Sequence, residues 1–273
     1  MHYYNKDIGK INIAIQLYVR KAQKITSNLL MGIILSGAAL LAAEPQLAAA
    51  LAIPEKLVYD LTWMGVTAGT ATQEIQNDNG TVKIISTAHS ASWLSAFFLV
   101  DDRIESVMAI SPAAPGLPKS YRMKIKEGKT VRDKEIQFDH SKRTALYIDH
   151  LNGERKNFDI TEKTLDTLSS FYFVRSQQLE VGKSVFMSVF DSKKLWNTEV
   201  QVLRKEKIKT VLGSFDTIVV KPLMQSEGIF EKKGDMYIWL TDDKRLLPVK
   251  MKTKVPVGSI TATLVGGEFL PAP

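Results

Sequence analysis

From residue 57 onward the chain is cut at short intervals by turn-forming residues, and the pieces between the cuts alternate large apolar side chains with small or polar ones. Leu57, Tyr59, Leu61 and Trp63 show the pattern. A repeat of two puts one set of side chains on one face of a strand and leaves the other face polar. Turns follow at Asn77-Asp78-Asn79-Gly80, Glu127-Gly128-Lys129, Asp139-His140-Ser141 and Asn152-Gly153, residue types that tolerate positive φ or bond their own backbone. This is the spacing of an antiparallel meander.

Strands are expected on this pattern at residues 57–63, 70–76, 82–88, 103–107, 119–126, 131–138, 143–149 and 154–159, then 183–190, 196–206, 207–212, 215–221, 234–241, 247–254 and 258–268. Gly65 and Gly69 bracket a bend after the first strand. Pro112, Pro115, Gly116 and Pro118 form a rigid loop, because proline fixes φ and has no amide to donate. Two segments break the period of two. Residues 91–100, which include Trp93, Phe97 and Phe98, are apolar without alternation and read as a short helical turn leading into a strand. Residues 165–180 place Leu165, Leu168, Tyr172, Arg175 and Leu179 on one stripe at three- and four-residue spacing, a helix with Gly182 as its stop. The fold class is mainly β: a curved antiparallel sheet with one central helix. So many strands in an open sheet would expose vulnerable edges, which favours closure into a barrel or two packed half-barrels.

Ahead of the strands, residues 29–43 form an apolar run of 15 residues, preceded by Arg20, Lys21 and Lys24 and followed by Ala48-Ala49-Ala50-Leu51-Ala52. This is the layout of a secretory signal peptide, and the run is shorter than the roughly 20 residues of a spanning helix. Residues 1–52 are expected to be removed, with cleavage after Ala52 or Ala50. That would release one β-rich domain, residues 53–273, into the periplasm without a stable transmembrane anchor. The signal segment holds 5 of the 36 Lys and Arg and 2 of the 29 Asp and Glu, leaving 31 against 27, a net +4. That surplus is spread along strands, and the densest cluster, Arg204-Lys205-Glu206-Lys207-Ile208-Lys209, contains a carboxylate. The electrostatic footprint of a nucleic-acid binder is missing. The chain has no Cys, which excludes a thioether lipid anchor, structural disulfides and thiol catalysis.

Three blocks carry a resemblance to a known family. They are Leu57-Val58-Tyr59-Asp60-Leu61-Thr62-Trp63 with Gly65, Ala68 and Gly69; Asp166-Thr167-Leu168-Ser169-Ser170-Phe171-Tyr172-Phe173-Val174-Arg175 continuing to Leu179 and Gly182; and Ile238-Trp239-Leu240-Thr241-Asp242-Asp243-Lys244-Arg245-Leu246-Leu247-Pro248-Val249 with Gly258-Ser259-Ile260. Together they resemble the domain of unknown function 3108 family, exported bacterial proteins of no established activity. The resemblance implies an envelope protein built on a curved antiparallel sheet, and it supplies no catalytic residue. Residues 95–100 are more aromatic than the family's corresponding turn.

No motif identifies a reaction. There is no Gly-x-Ser-x-Gly elbow, and His89, His140 and His150 have no chelating spacing, so no catalytic residue, metal or cofactor is assigned. The residues that stand out are candidates for binding. Asp166, Tyr172 and Arg175 lie along the helix, and Arg175 sits on its apolar stripe, where it must snorkel or find a carboxylate or carbonyl. Trp93, Phe97 and Phe98 either plug one end of the barrel or line a mouth or membrane contact. Trp239 beside Asp242 and Asp243 has the ingredients of a sugar platform, although Trp is more often a core anchor. The leading expectation is a non-catalytic periplasmic protein that binds or carries a hydrophobic small molecule or lipid-like ligand between sheet and helix. An envelope hydrolase acting on glycan or peptide through Asp166, Asp242 and Asp243 is the alternative. An outer-membrane β-barrel is a third reading, opposed by short charged strands such as residues 119–126 and by the lack of a terminal aromatic residue.

Overall fold

The computed structural model describes residues 53–110, 116–191, 193–223, 236–254 and 258–269. Residues 1–52, expected to be an export signal, and the loop prolines Pro112 and Pro115 lie outside the described residues. The first half holds β1 (Glu55–Trp63), β2 (Val66–Asp78), β3 (Thr81–Ser90), α1 (Ser92–Ser95), β4 (Val100–Ala109), β5 (Pro118–Glu127), β6 (Thr130–Asp139), β7 (Thr144–Asp149) and β8 (Arg155–Asp159). After α2 (Thr167–Arg175) come β9 (Ser184–Asp191), β10 (Lys194–Thr210), β11 (Gly213–Leu223), β12 (Met236–Thr241), β13 (Pro248–Lys254) and β14 (Ser259–Glu268).

All fourteen strands form one sheet in the order β8 down to β1, then β14 down to β9. Every neighbour in that order is also the neighbour in sequence, except where β1 pairs with β14. Two antiparallel meanders therefore run outward from a seam made by the first and last strands. Two apolar interiors lie inside the curve. One is built on Ile84, Ile104, Tyr121, Ile136 and Tyr147 of β3 to β7; the other spans the seam, on Leu57 and Leu61 of β1 with Val200, Ile238 and Leu264. The two free edges, β8 and β9, meet through side chains: the rings of Phe158 and Phe190 lie 5.4 Å apart. The sheet curves without closing by a ladder there, and α2 fills the gap. Leu168 and Tyr172 belong to the first interior and Val174 to the second.

The expectation of a curved sheet with a central helix stands, and several boundaries differ. The helix ends at Arg175, with Ser176 as its C-cap, several residues before Gly182. Arg175 is fastened to Glu55 and Ser176 Oγ donates to the Phe173 carbonyl, so tertiary contact stops the helix before glycine can. Leu165 precedes the helix and bridges Val189. Gly69 is not at a bend but inside β2, where a Cβ would lie 2.2 Å from the His89 carbonyl oxygen. Its sequence signal was a close backbone approach. The two strands expected at 196–206 and 207–212 are one long strand, β10, that absorbs a register shift at Val202/Arg204. Pro118 opens β5 and is not part of a loop.

Candidate functional site

The second interior contains a small apolar cavity in two neighbouring chambers. One is walled by Tyr59 and Leu61 of β1, Ala71 and Gln73 of β2, Ala88 of β3 and Ala262 of β14. The other lies between α2 and strands β10 to β13, against Val174, Val200, Val220, Ile238 and Leu240. Gln73, Met236 and Met251 line both chambers. The space exists because inward positions carry alanine: cross-strand pairs Tyr59 with Ala71 and Leu61 with Ala262 set a large side chain against a small one. The methionines between the chambers are unbranched and adapt to irregular contents. The polar lining is Thr72, Gln73, Ser86, Lys252 and Thr253 in the first chamber and Gln73, Thr167, Ser170 and Arg175 in the second. An apolar lining with a small number of convergent polar groups is the usual composition of a small-molecule site.

Arg175 closes one end of the second chamber. Its Nη1 and Nη2 donate to the two carboxylate oxygens of Glu55 at 2.7 and 2.8 Å, and its Nε donates to the Leu246 carbonyl at 3.1 Å. Both side chains are buried. Burial alone would draw the proton from the guanidinium, and the hydrogen-bonded Glu55 carboxylate outweighs it and keeps Arg175 charged. Tyr172 lies under the guanidinium, 5.0 Å from ring centroid to Cζ. Burial pushes its hydroxyl well up, and so too that of Tyr59, which donates to the Pro248 carbonyl at 2.9 Å. The pair thus ties α2 to the first strand and to the β12–β13 turn.

The other residues singled out in the sequence lie elsewhere. Asp166 is the N-cap of α2, at the far end of the helix from Arg175, where its carboxylate accepts from Leu168 N, Ser169 N and Ser106 Oγ. Every one of those contacts is structural, and Ser169 completes the cap by accepting from Asp166 N. Trp239 is buried but faces away from the cavity, since Ile238 and Leu240 on either side point into it. Its indole nitrogen donates to Glu206 and the Lys250 ammonium covers its ring at 4.9 Å. Asp243 is held by Thr241 and Arg245, and Asp242 by Lys205. The sugar platform is therefore not formed: the aromatic face is covered and both carboxylates are engaged. In the aromatic segment, Leu94 and Phe98 are buried, whereas Trp93 and Phe97 are exposed. The segment thus has one buried and one exposed face.

A family model described as Protein of unknown function (DUF3108) matches residues 58–265, most of the chain. The chain belongs to the DUF3108 family. No curated protein matches it. Among solved structures, it is similar to a crystal structure described as a beta-barrel-like protein of domain of unknown function DUF1849 from Brucella abortus. The identity is 11%, the match covers 81% of this chain and 100% of that one, and the TM-score is 0.53. At that identity the likeness is one of fold.

This DUF3108 chain carries a second buried polar group, in its first interior. Asp102 of β4 and Glu127 of β5 both point inward, and Arg132 Nη1 lies 4.0 Å from Glu127. Burial, then the adjacent Asp102 charge, push the Glu127 carboxyl up to about 8, against the pull of Arg132. Asp102 also accepts from Lys126 N at 2.9 Å. The histidines are dispersed: His89 pairs with Asp101, His150 with Glu135, and His140 stacks on Phe138. Among the described residues no three metal-ligating side chains gather, and no described helix is long and apolar enough to cross a membrane.

Of the seven residues proposed from sequence, one, Arg175, lines the cavity. Gln73, Ala71, Ala262, Met236 and Met251 were missed. Their signal was small or flexible residues at inward strand positions, which is legible only once the inward face is known.

Proposed function

We propose that the protein is exported to the periplasm and there binds or carries a hydrophobic, lipid-like molecule, without chemistry of its own. The observation that carries this reading is the pair of apolar chambers that share Gln73, Met236 and Met251. An apolar ligand would enter by displacing the two methionines, whose unbranched side chains re-pack readily. Gln73 offers an amide to either chamber. Arg175 contributes as a fixed wall, because Glu55 already neutralises it. The export half of the reading rests on residues 1–52 and is tested by fractionation, which is expected to find the processed chain in the periplasm.

The binding half is tested by solvent extraction and mass spectrometry of the purified protein, together with titration of a fluorescent fatty acid. A stoichiometric lipid, or saturable probe binding weakened about tenfold or more by Ala71→Phe or Ala262→Phe, is the expected result. Both variants fill the first chamber, and the unfolding transition of each shows that it has folded. No extracted ligand together with no saturable binding overturns the reading.

A further inference from the structure

One end of the molecule gathers apolar side chains that no described residue covers. The β1–β2 turn, with Met64 and Gly65 at positive φ of 50° and 84°, lifts Met64 and Val66 into solvent, 65% and 56% exposed. α1 lies beside it: Ala91 N donates to the Ala68 carbonyl at 2.8 Å and the Trp93 indole nitrogen to the Thr67 carbonyl at 2.9 Å. From α1 project Trp93, 47% exposed, and Phe97, 81% exposed. The same segment is anchored from below by Leu94 and by Phe98, which packs so closely on Gly128 that a Cβ there would lie 2.8 Å from its ring. Gly128 N donates to the Leu99 carbonyl at 2.7 Å, which brings in the β5–β6 turn with exposed Lys129 and Val131. Met64 N, bonded to the Ser259 carbonyl, adds the end of β13 with exposed Lys254.

The exposed charge on this end is mainly positive. The β1–β2 turn and residues 91–99 contain no charged side chain, the β5–β6 turn has Lys129 exposed with Glu127 buried, and β13 ends in Lys254. The first exposed carboxylate along β4 is Asp101, which pairs with His89. Apolar tips standing above lysines, with Asp101 the nearest exposed carboxylate and paired to His89, match the layered chemistry of an anionic bilayer: acyl chains inside, phosphate outside. Trp93 suits that position, because its polar nitrogen is already bonded to the backbone and its ring enters an apolar layer without leaving a donor unpaired. A projecting knob of this kind also fits a soft surface better than the matching groove that a protein partner or second copy would have to supply.

We infer that this end docks on a membrane surface bearing anionic phospholipid, with Phe97, Trp93, Met64 and Val66 as the inserting side chains and Lys129 and Lys254 as the headgroup contacts. The inference stands on the surface alone and does not depend on the cavity being filled. Its test is flotation of the full chain with vesicles of phosphatidylglycerol and phosphatidylethanolamine, and with vesicles of phosphatidylcholine alone. Comparing wild type with Phe97→Ser and Lys129→Glu makes any contribution of residues 1–52 common to all samples. The expected result is binding to the anionic vesicles, weakened about tenfold by Phe97→Ser and weakened by salt and by Lys129→Glu, with unfolding transitions unchanged. Equal flotation of wild type and Phe97→Ser overturns the inference. So does a failure to bind at low salt, or sedimentation showing that Phe97 instead holds two copies together.

Discussion

Glu127 and Arg175 are both buried ionisable groups, and their surroundings give them opposite consequences. Glu127 has Asp102 beside it and Arg132 only at 4.0 Å, so it is neutral in the folded protein up to about pH 8. Its unfolded counterpart ionises near about 4.3. The folded state holds the extra proton between those values, so this group's contribution is fully present below about pH 4.3 and is lost as pH rises toward about 8. Glu127→Gln, which keeps the shape without the charge, is expected to flatten the fall in melting temperature over that window and to stabilise the protein above pH 8. Thermal unfolding across pH would read it, and an unchanged slope would refute the assignment. Arg175 is the reverse case, a charge made permanent by its partner. Arg175→Met leaves Glu55 buried and uncompensated, at a cost of about 3–5 kcal/mol, whereas Arg175→Met combined with Glu55→Leu recovers most of that loss. Denaturant titration of the single and double variants distinguishes a structural clamp from a ligand contact: the former moves stability in this pattern, the latter probe affinity alone.

At the scale of elements, α2 is short for an independent helix and depends on its ends. Its amino end is closed by Asp166 and Ser169 bonding each other's backbone, with Ser106 of β4 as a third support. Burial raises the Asp166 carboxyl to about 6, although the Ser106 hydroxyl and the Ser169 and Leu168 amides all oppose it. The contribution of that group is therefore present below about pH 4 and declines as pH rises through about 6. Asp166→Ala is expected to cost about 1–2 kcal/mol, the range of a lost N-cap. Asp166→Asn should retain much of the cap while removing the pH dependence near 6. If Asp166→Ala left stability unchanged in denaturant titration, the cap would not be what holds this helix. The amphipathic stripe read from sequence misjudged the helix because Ser169, Ser170 and Thr167 are buried as well as the apolar residues. A helix wedged between two sheet faces has little outward side for a periodicity to report.

For the whole molecule, the decisive contact is the seam between β1 and β14, which joins the two meanders across nearly the full length of the chain. It includes a register shift at Val58/Tyr59 and the glycine pair opposite it. At Gly267, with φ of 134°, a Cβ would sit 2.0 Å from the Lys56 carbonyl oxygen. Gly267→Ala is thus strained twice over, by backbone conformation and by contact, and is expected to cost more than about 1 kcal/mol. The loss should appear in one cooperative transition, since the second interior spans that seam and draws on strands of both meanders. Two separate transitions would mean that the halves fold on their own. The cavity belongs to this scale too, since its walls come from both meanders and from the helix between them.

What the sequence determined by itself was the local part: alternation set which segments are strands, turn residues set where they reverse, and the absence of Cys left packing alone to hold the fold. Arg175 could be recognised as needing a partner, because a guanidinium on an apolar stripe must be paired whatever the topology. Only the tertiary structure decided that the partner is Glu55, 120 residues away, that Trp239 faces away from the cavity, and that Trp93 and Phe97 stand outside while Leu94 and Phe98 lie within. The reason is the same in each case. A period of two says that a strand has two faces, but which face looks inward depends on the register with neighbours that are remote in the chain.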